Sequence, residues 1–201
     1  MITVEKIQEI LNESRERDEK EIYVTDVTKC LRRSYFSIVR PPIYPSPQMI
    51  IGRLLHDAFE RLLQKYIQAF FEVSFGFGLG NGWVLKGRCD MLIGDEVYEF
   101  KFVRSINKAK ENAGYYLQVQ FYCYAFRAKR GFLVLVDRET LDMEFVEVSP
   151  DAYVAERLIE DAIYLCECLE KKTVPERLSP RFENECQFCD FFESCLGDAH
   201  V

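Results

Sequence analysis

Apolar and polar positions follow two periods along the chain, and the period changes from one segment to the next. Val4 to Arg17 has loose helical spacing, with Val4, Ile7, Ile10 and Leu11 three or four apart. Thr25 or Asp26 is placed to cap a second helix that runs through Val39 and carries Cys30. Pro41, Pro42, Pro45 and Pro47 then break the chain. Met49 to Phe71 reads as one long helix, its apolar face made by Ile51, Leu54, Leu55, Phe59, Leu62, Leu63 and Tyr66. Beyond it the period drops to two. Phe71–Leu79, Trp83–Ile93 and Val97–Val103 read as strands joined by turns at Asn81-Gly82 and Gly94-Asp95. A helix over Tyr115–Ala128, an apolar strand over Gly131–Val136, a strand over Met143–Val148 and a helix over Asp151–Leu169, capped near Ser149 or Asp151, complete the pattern. This order predicts an α/β core with a mixed sheet flanked by helices.

The chain's 201 residues suit one domain: a core over roughly 48–172, with the segments 22–40 and 173–201 forming a small second module. Forty-eight per cent hydrophobic residues argue for a folded chain, and no apolar run reaches the ~20 residues that span a bilayer. The charged N-terminus has no apolar segment of a secretory signal, so a cytoplasmic protein without a membrane partner is expected. A net charge of −7 argues against a general nucleic-acid coat. Charge is unevenly distributed, however. Val27 to His56 holds no acid but contains Lys29, Arg32, Arg33, Arg40 and Arg53, and Lys101 to Lys110 adds Arg104 among further bases. From Asp137 onward seventeen acids face six bases. Arg32, Arg33, Arg53 and Arg104 are therefore candidates for phosphate contact.

Chemistry concentrates in the hairpin Gly87-Arg88-Cys89-Asp90 to Glu99-Phe100-Lys101. With Gly94-Asp95 as a two-residue turn, Asp90 falls opposite Glu99, and Lys101 shares the face of Glu99. Cys89, Met91, Ile93, Tyr98, Phe100 and Phe102 are then expected on the other, apolar face. Paired carboxylates repel unless a cation lies between them, and hard oxygen ligands suit Mg²⁺ or Mn²⁺. Such an ion holds a phosphate and acidifies a bound water, with Lys101 placed to orient the water or to neutralise charge. A solvent-exposed strand face with a salt bridge is the bland alternative for Asp90, Glu99 and Lys101. His56, on the preceding helix with Glu60 one turn later, can add a nitrogen ligand. Gln118/Tyr122 and Gln120/Tyr124 are both i, i+4 pairs on one helix, and either can position phosphate oxygens or water.

Eight cysteines without a secretion signal favour metal binding or buried thiols over disulfides. Cys186-x2-Cys189-x5-Cys195 supplies three thiolates, and Cys30 is the candidate fourth. Four thiolates suit an iron–sulfur cluster or structural zinc. Cys89 and Cys123 read as small core residues. Cys166 and Cys168, two apart on a helix, make a poor chelate.

Taken together, these motifs resemble the CRISPR-associated RecB-like nucleases, a four-cysteine family, over nearly the whole chain from Cys30 to Cys195. The resemblance rests on the leading Cys, the helix with Gly52 and His56, Gly87-Arg88-Cys89-Asp90, Glu99-Phe100-Lys101, the Gln-x3-Tyr helix and the terminal cysteines. It implies a restriction-endonuclease-like core of the PD-(D/E)xK type. His56, Asp90, Glu99 and the backbone carbonyl of Phe100 become metal-site groups, and Lys101 the catalytic lysine. It implies an iron–sulfur cluster on Cys30, Cys186, Cys189 and Cys195, four-iron in preference to two-iron. The implied activity is Mg²⁺- or Mn²⁺-dependent, 5′-to-3′ exonuclease action on single-stranded or end-frayed DNA. That activity would prepare ends for spacer integration beside integrase proteins, and an oligomer is compatible with it. A repair or transposon-associated RecB-like nuclease, or a non-catalytic DNA-end-binding adaptor, are the competing readings.

Overall fold

The computed structural model describes residues 3–11, 17–41, 45–176, 186 and 189–197. In chain order its elements are α1 (Val4–Leu11), β1 (Glu21–Tyr23), α2 (Val24–Val27), α3 (Leu31–Val39), α4 (Pro47–Leu63), β2 (Phe70–Gly80), β3 (Trp83–Ile93), β4 (Glu96–Val103), α5 (Ile106–Ala109), α6 (Ala113–Phe126), β5 (Arg130–Asp137), β6 (Met143–Val148), α7 (Ala152–Lys171) and α8 (Phe192–Gly197). The expected extension of the first helix over 12–16, the break at Pro42 and the tail over 177–185 lie outside the described residues.

Six strands form one mixed sheet. β2 pairs antiparallel with β3 over its length, β4 pairs parallel with β5, and β6 closes the far edge antiparallel to β5. The second edge of β3 is divided. β1 runs parallel to Val84–Lys86, whereas β4 takes Met91–Ile93 through the Gly94-Asp95 turn. A gap opens between these two partners along Gly87–Asp90. The turns follow their sequence signals: Asn81 and Gly82 both adopt positive φ, at 49° and 81°, as the tight hairpin requires.

Two unequal cores cover the sheet. On one face α2, α3, α6 and α7 pack against Leu85, Val97, Leu133 and Leu135, all fully buried. On the other α4 covers Met91, Phe100, Val134 and Val136 with Phe59 and Leu63. This second core is small, so Ile51, Leu54 and Leu62 of α4 stay exposed.

Several expectations are corrected. The long helix stops at Leu63, because Lys65 and Tyr66 tighten into turns on Leu62 and Leu63 and Phe70 already belongs to β2. It starts at Pro47, with the Ser46 hydroxyl accepting from the Met49 N–H, so one of the chain-breaking prolines serves as a first helical residue. The single helix expected from Thr25 or Asp26 through Val39 is instead α2 and α3, preceded by the short β1, with Cys30 at the N-cap of α3 rather than inside a helix. Three residues of β1 are too few to show a period. Cys89 does not share a face with Met91 and Phe100 but lies in the larger core. Both β2 and β3 change face at one point: Phe71 and Met91 pack toward α4, Val73 and Cys89 toward α6. The residues between them are Glu72, at φ 51°, and Asp90. A non-glycine residue in this region costs about 1–3 kcal/mol, and such strain concentrates at functional positions.

Candidate active site

Asp90 sits where the strands switch face, and its carboxylate turns into the gap between β3 and β4. The β3–β4 ladder ends at Met91 opposite Tyr98, one pair short of the predicted Asp90–Glu99 pairing. In place of the next ladder bond, Asp90 Oδ2 accepts from the Phe100 N–H at 2.7 Å. The same oxygen lies 2.9 Å from His56 Nε2 of α4. Glu99 and Lys101 project toward α6 from β4, and Lys101 Nζ donates to Glu99 Oε1 at 2.5 Å. Lys101 Nζ also stands 5.3 Å from the centre of the Tyr115 ring.

Burial makes this arrangement unusual. Asp90 and Glu99 are 6% and 3% exposed, and Glu60 only 4%. Glu99 Oε2 and Glu60 Oε1 are buried without a hydrogen-bond partner. Desolvation, reinforced by the Asp90 charge, pushes Glu99 up to about 8, against the pull of Lys101. Burial likewise raises Glu60 to about 7. Burial works against the charged form of His56, yet the Asp90, Glu60 and Glu99 carboxylates outweigh it and hold the imidazole above its usual value. Burial also opposes the Lys101 ammonium, but Glu99 and Asp90 prevail and hold it above the ordinary lysine value. Acidic groups are thus gathered in a dry place that disfavours their charged forms, with two carboxyl oxygens unsatisfied. A hard divalent cation satisfies that donor set of carboxylates and one imidazole. Among the described residues, the one group of three candidate ligands whose ligand atoms all lie within 4.8 Å of one another is His56, Glu60 and Glu72.

The two Gln–Tyr pairs separate cleanly. Gln118 Nε2 donates to the Tyr122 hydroxyl at 2.9 Å, both side chains are buried, and the Glu99 charge helps hold Tyr122 well above the usual phenol value after burial itself. The Tyr122 oxygen also accepts from the backbone of Arg88, filling the open edge of β3. A Cβ on Gly87 would lie 2.3 Å from Phe75 Cζ and 3.0 Å from Tyr122 Cε1, so the absence of a side chain there lets both rings close in. Gln120 points elsewhere: its Oε1 accepts from the Asp151 N–H at 2.7 Å and ties α6 to the start of α7. Tyr124 lines a separate cavity of about 470 Å³ with Phe77 and Gln120.

The cysteines fall into two groups. Cys89, Cys123, Cys166 and Cys168 are buried, whereas Cys30, Cys186, Cys189 and Cys195 are all half-buried. Burial raises the Cys189 thiol, and among its neighbours are Arg33, Cys30 and Cys186. The chain ends meet there: Arg32 donates to the Cys195 carbonyl at 3.2 Å, and Phe36 stacks on Phe191 at 5.8 Å. Of the other predicted phosphate contacts, Arg53 donates to the Leu11 carbonyl at 2.9 Å, Arg33 is half-buried on α3, and Arg104 is exposed three residues past Lys101. Sequence reasoning assigned no role to Tyr115, Glu72 or Arg88. Arg88 Nη2 pairs with Glu72 Oε1 at 2.8 Å across β2 and β3. The offset hairpin register carries that contact, but neither residue type marks it.

A sheet that presents Asp, Glu and Lys at a splayed strand pair, with helices on both faces, defines a class of phosphodiester-cleaving fold. Residues 64–196 match the family model of the PD-(D/E)XK nuclease superfamily. The chain belongs to that superfamily, and is a nuclease by fold and by family. It is 29% identical to the CRISPR-associated exonuclease Cas4 of Saccharolobus solfataricus, over 94% of this chain and 93% of that protein. The crystal structure of SSO0001 superposes with a TM-score of 0.68 at 30% identity, covering 93% of this chain and 90% of that one. An alkaline exonuclease from Laribacter hongkongensis shares the fold at a TM-score of 0.55 and 14% identity, over 76% of this chain and 89% of the other. These likenesses fit the CRISPR-associated RecB-like family to which the motifs point. No described helix is long and apolar enough to cross a membrane.

Proposed function

We propose that this nuclease is a Mg²⁺- or Mn²⁺-dependent exonuclease that degrades single-stranded or end-frayed DNA from the 5′ end. Its pathway role is to prepare ends for spacer acquisition beside CRISPR integrase proteins in the cytoplasm. The observation that carries the reading is the buried Asp90–Glu99–Lys101 cluster with an unsatisfied Glu99 oxygen, in a chain similar to a CRISPR-associated exonuclease. Asp90, Glu99, His56 Nε2 and the Phe100 carbonyl are the groups that would hold the ion. When bound, that ion supplies Lewis-acid polarisation of the phosphate and acidification of an attacking water. Lys101 remains an ammonium beside Glu99 and donates to the water or to the developing charge on the phosphate. Gln118 and Tyr122 fix the α6 wall of the gap and leave Tyr115 against Lys101.

The same proposal gives the chain ends to an iron–sulfur cluster, four-iron in type, held by Cys30, Cys186, Cys189 and Cys195. Four half-buried thiols at the meeting of α3 and α8 suit that group. The cluster module then comprises 22–40 and 173–201, closing a single nuclease domain over 1–201.

End-labelled single-stranded DNA tests the proposal. With Mn²⁺, the wild-type chain should release nucleotides from a 5′-labelled strand first, while Lys101→Ala should lose at least ~10³-fold in rate, the scale of one transition-state donor, with its fold and visible absorbance intact. Undiminished cleavage by Lys101→Ala would remove the active-site assignment, and first release from the 3′ end would reverse the polarity.

A further inference from the structure

Glu60 is a carboxylate that the proposed reaction does not use, yet it is buried. It lies one helical turn after His56 on α4, and a single acid in such a place is costly unless another group requires it. Its Oε1 makes no hydrogen bond and faces His56 Nδ1 at 3.5 Å, while the other ring nitrogen of His56 is 2.9 Å from Asp90 Oδ2. A neutral imidazole has one nitrogen that accepts and one that donates. With Nε2 given to a metal, Nδ1 must carry the proton and needs an acceptor, and Glu60 Oε1 is the carboxylate oxygen that stands beside it.

We propose that Glu60 is a positioning residue, which fixes the ring orientation and tautomer of His56 through Nδ1 so that Nε2 faces the metal position at Asp90. The proposal rests on the reading that Asp90 and His56 hold a divalent ion. Glu72, whose ligand atom also comes close to Glu60 and His56, suits a second ion less well. Arg88 already satisfies Glu72 at 2.8 Å and places a positive charge beside it, and a protonated Nδ1 has no lone pair to offer. Carboxylates behind a ligating histidine typically set metal affinity by 10–100-fold.

Mn²⁺ titration followed by electron paramagnetic resonance of the free ion tests this in wild type, Glu60→Gln, Glu60→Leu and Asp90→Asn, with metal-free melting measured in parallel. The expected result is one strong site in wild type, affinity reduced about 10-fold in Glu60→Gln, which keeps an acceptor, and about 100-fold in Glu60→Leu. Metal-free Glu60→Leu should melt no lower than wild type, because an unsatisfied buried carboxylate has been removed. A merely structural Glu60 would show the opposite, lower melting with unchanged affinity. Should Glu60→Leu fail to fold, the isosteric Glu60→Gln decides. Unchanged affinity in the Glu60 variants with binding abolished in Asp90→Asn would overturn the proposal and leave the metal reading standing. Undiminished Mn²⁺ binding in Asp90→Asn would overturn both. Two ions in wild type, one of them lost outright in Glu60→Gln, would make Glu60 a ligand and not a positioning residue.

Discussion

The carboxylate gap and the cysteine end are both clusters of groups suited to a cation, but the fold holds them in different ways. Asp90, Glu99 and Lys101 stand on neighbouring strands whose flanking residues, Val97, Leu133, Val134 and Leu135, are fully buried. The sheet therefore gathers the charges whether or not an ion is present, and their cost is visible as unsatisfied oxygens and displaced protonation. Cys30, Cys186, Cys189 and Cys195 are half-buried, Cys30 and Cys186 neighbour Cys189, and contacts join the segments that carry them: Phe36 on Phe191, and Arg32 on the Cys195 carbonyl. The gap uses fold stability to store chemistry, whereas the proposed cluster at the cysteine end would lend stability to the junction of α3 and α8. Removing a ligand should accordingly cost function at the first site and structure at the second.

The largest effect expected from this contrast is on stability at the cysteine end. Cys189→Ala should bleach the visible absorbance of the proposed cluster and lower stability by about 2–5 kcal/mol, the scale of a long-range covalent clip. Denaturant unfolding and iron analysis on anaerobically purified protein measure both. A colourless variant of unchanged stability would show that the ends hold together without the cluster, and the contrast would collapse.

How much of this was legible in the sequence differs between the two regions. Strands β2 to β6 are long enough for period two to show, and the Gly94-Asp95 turn fixed the register of Ile93 on Glu96 and Met91 on Tyr98. What the alternation could not reveal is its own interruption at Glu72 and Asp90. A face switch in two paired strands at once leaves no mark in either hydrophobic pattern, so period two alone puts Cys89 in the wrong layer. The choice between Gln118 and Gln120 was equally closed to spacing, since both sit one turn before a tyrosine. Only the docking of α7 draws Gln120 away, through the Asp151 N–H. β1 and α5, at three and four residues, are too short to carry any period. Glu60 was visible as a helical neighbour of His56, but its burial depends on how α4 lies across β4.

A smaller effect should come from disturbing the frame of the gap and none of its charges. Gly87→Ala places a methyl 2.3 Å from Phe75 and 3.0 Å from Tyr122, so both rings must move. Overpacking of this kind costs about 1–3 kcal/mol. Because Tyr122 closes the gap beside Glu99, the rate of DNA cleavage should fall as well, while the visible absorbance is untouched. Stability and rate measured on one preparation sharpen the comparison. Lost stability with a full rate would mean that Tyr122 packs the core and does nothing for the site.

The smallest effect is a pH dependence that belongs to the gap alone. Glu99 keeps its proton in the folded chain up to about pH 8 but releases it near 4.5 when unfolded. Between those values the folded state binds more protons, so stability falls as pH rises through the window. Glu60, raised to about 7, acts in the same direction. His56 does too: its folded value is raised above 6.5, so the stability it confers is complete below that pH and is lost as pH climbs through the folded value. The metal-free protein should therefore melt lower at pH 8 than at pH 5, by about 2–4 °C for each kcal/mol lost in a chain of this size. Glu99→Gln should flatten part of that slope. Mn²⁺ favours the ionised carboxylates, so it should stabilise more at pH 8 than at pH 6, and a cysteine-end variant should keep this dependence whole. An equal slope in wild type and Glu99→Gln would place the proton uptake outside the gap and leave its buried carboxylates without the energetic signature that separates the two regions.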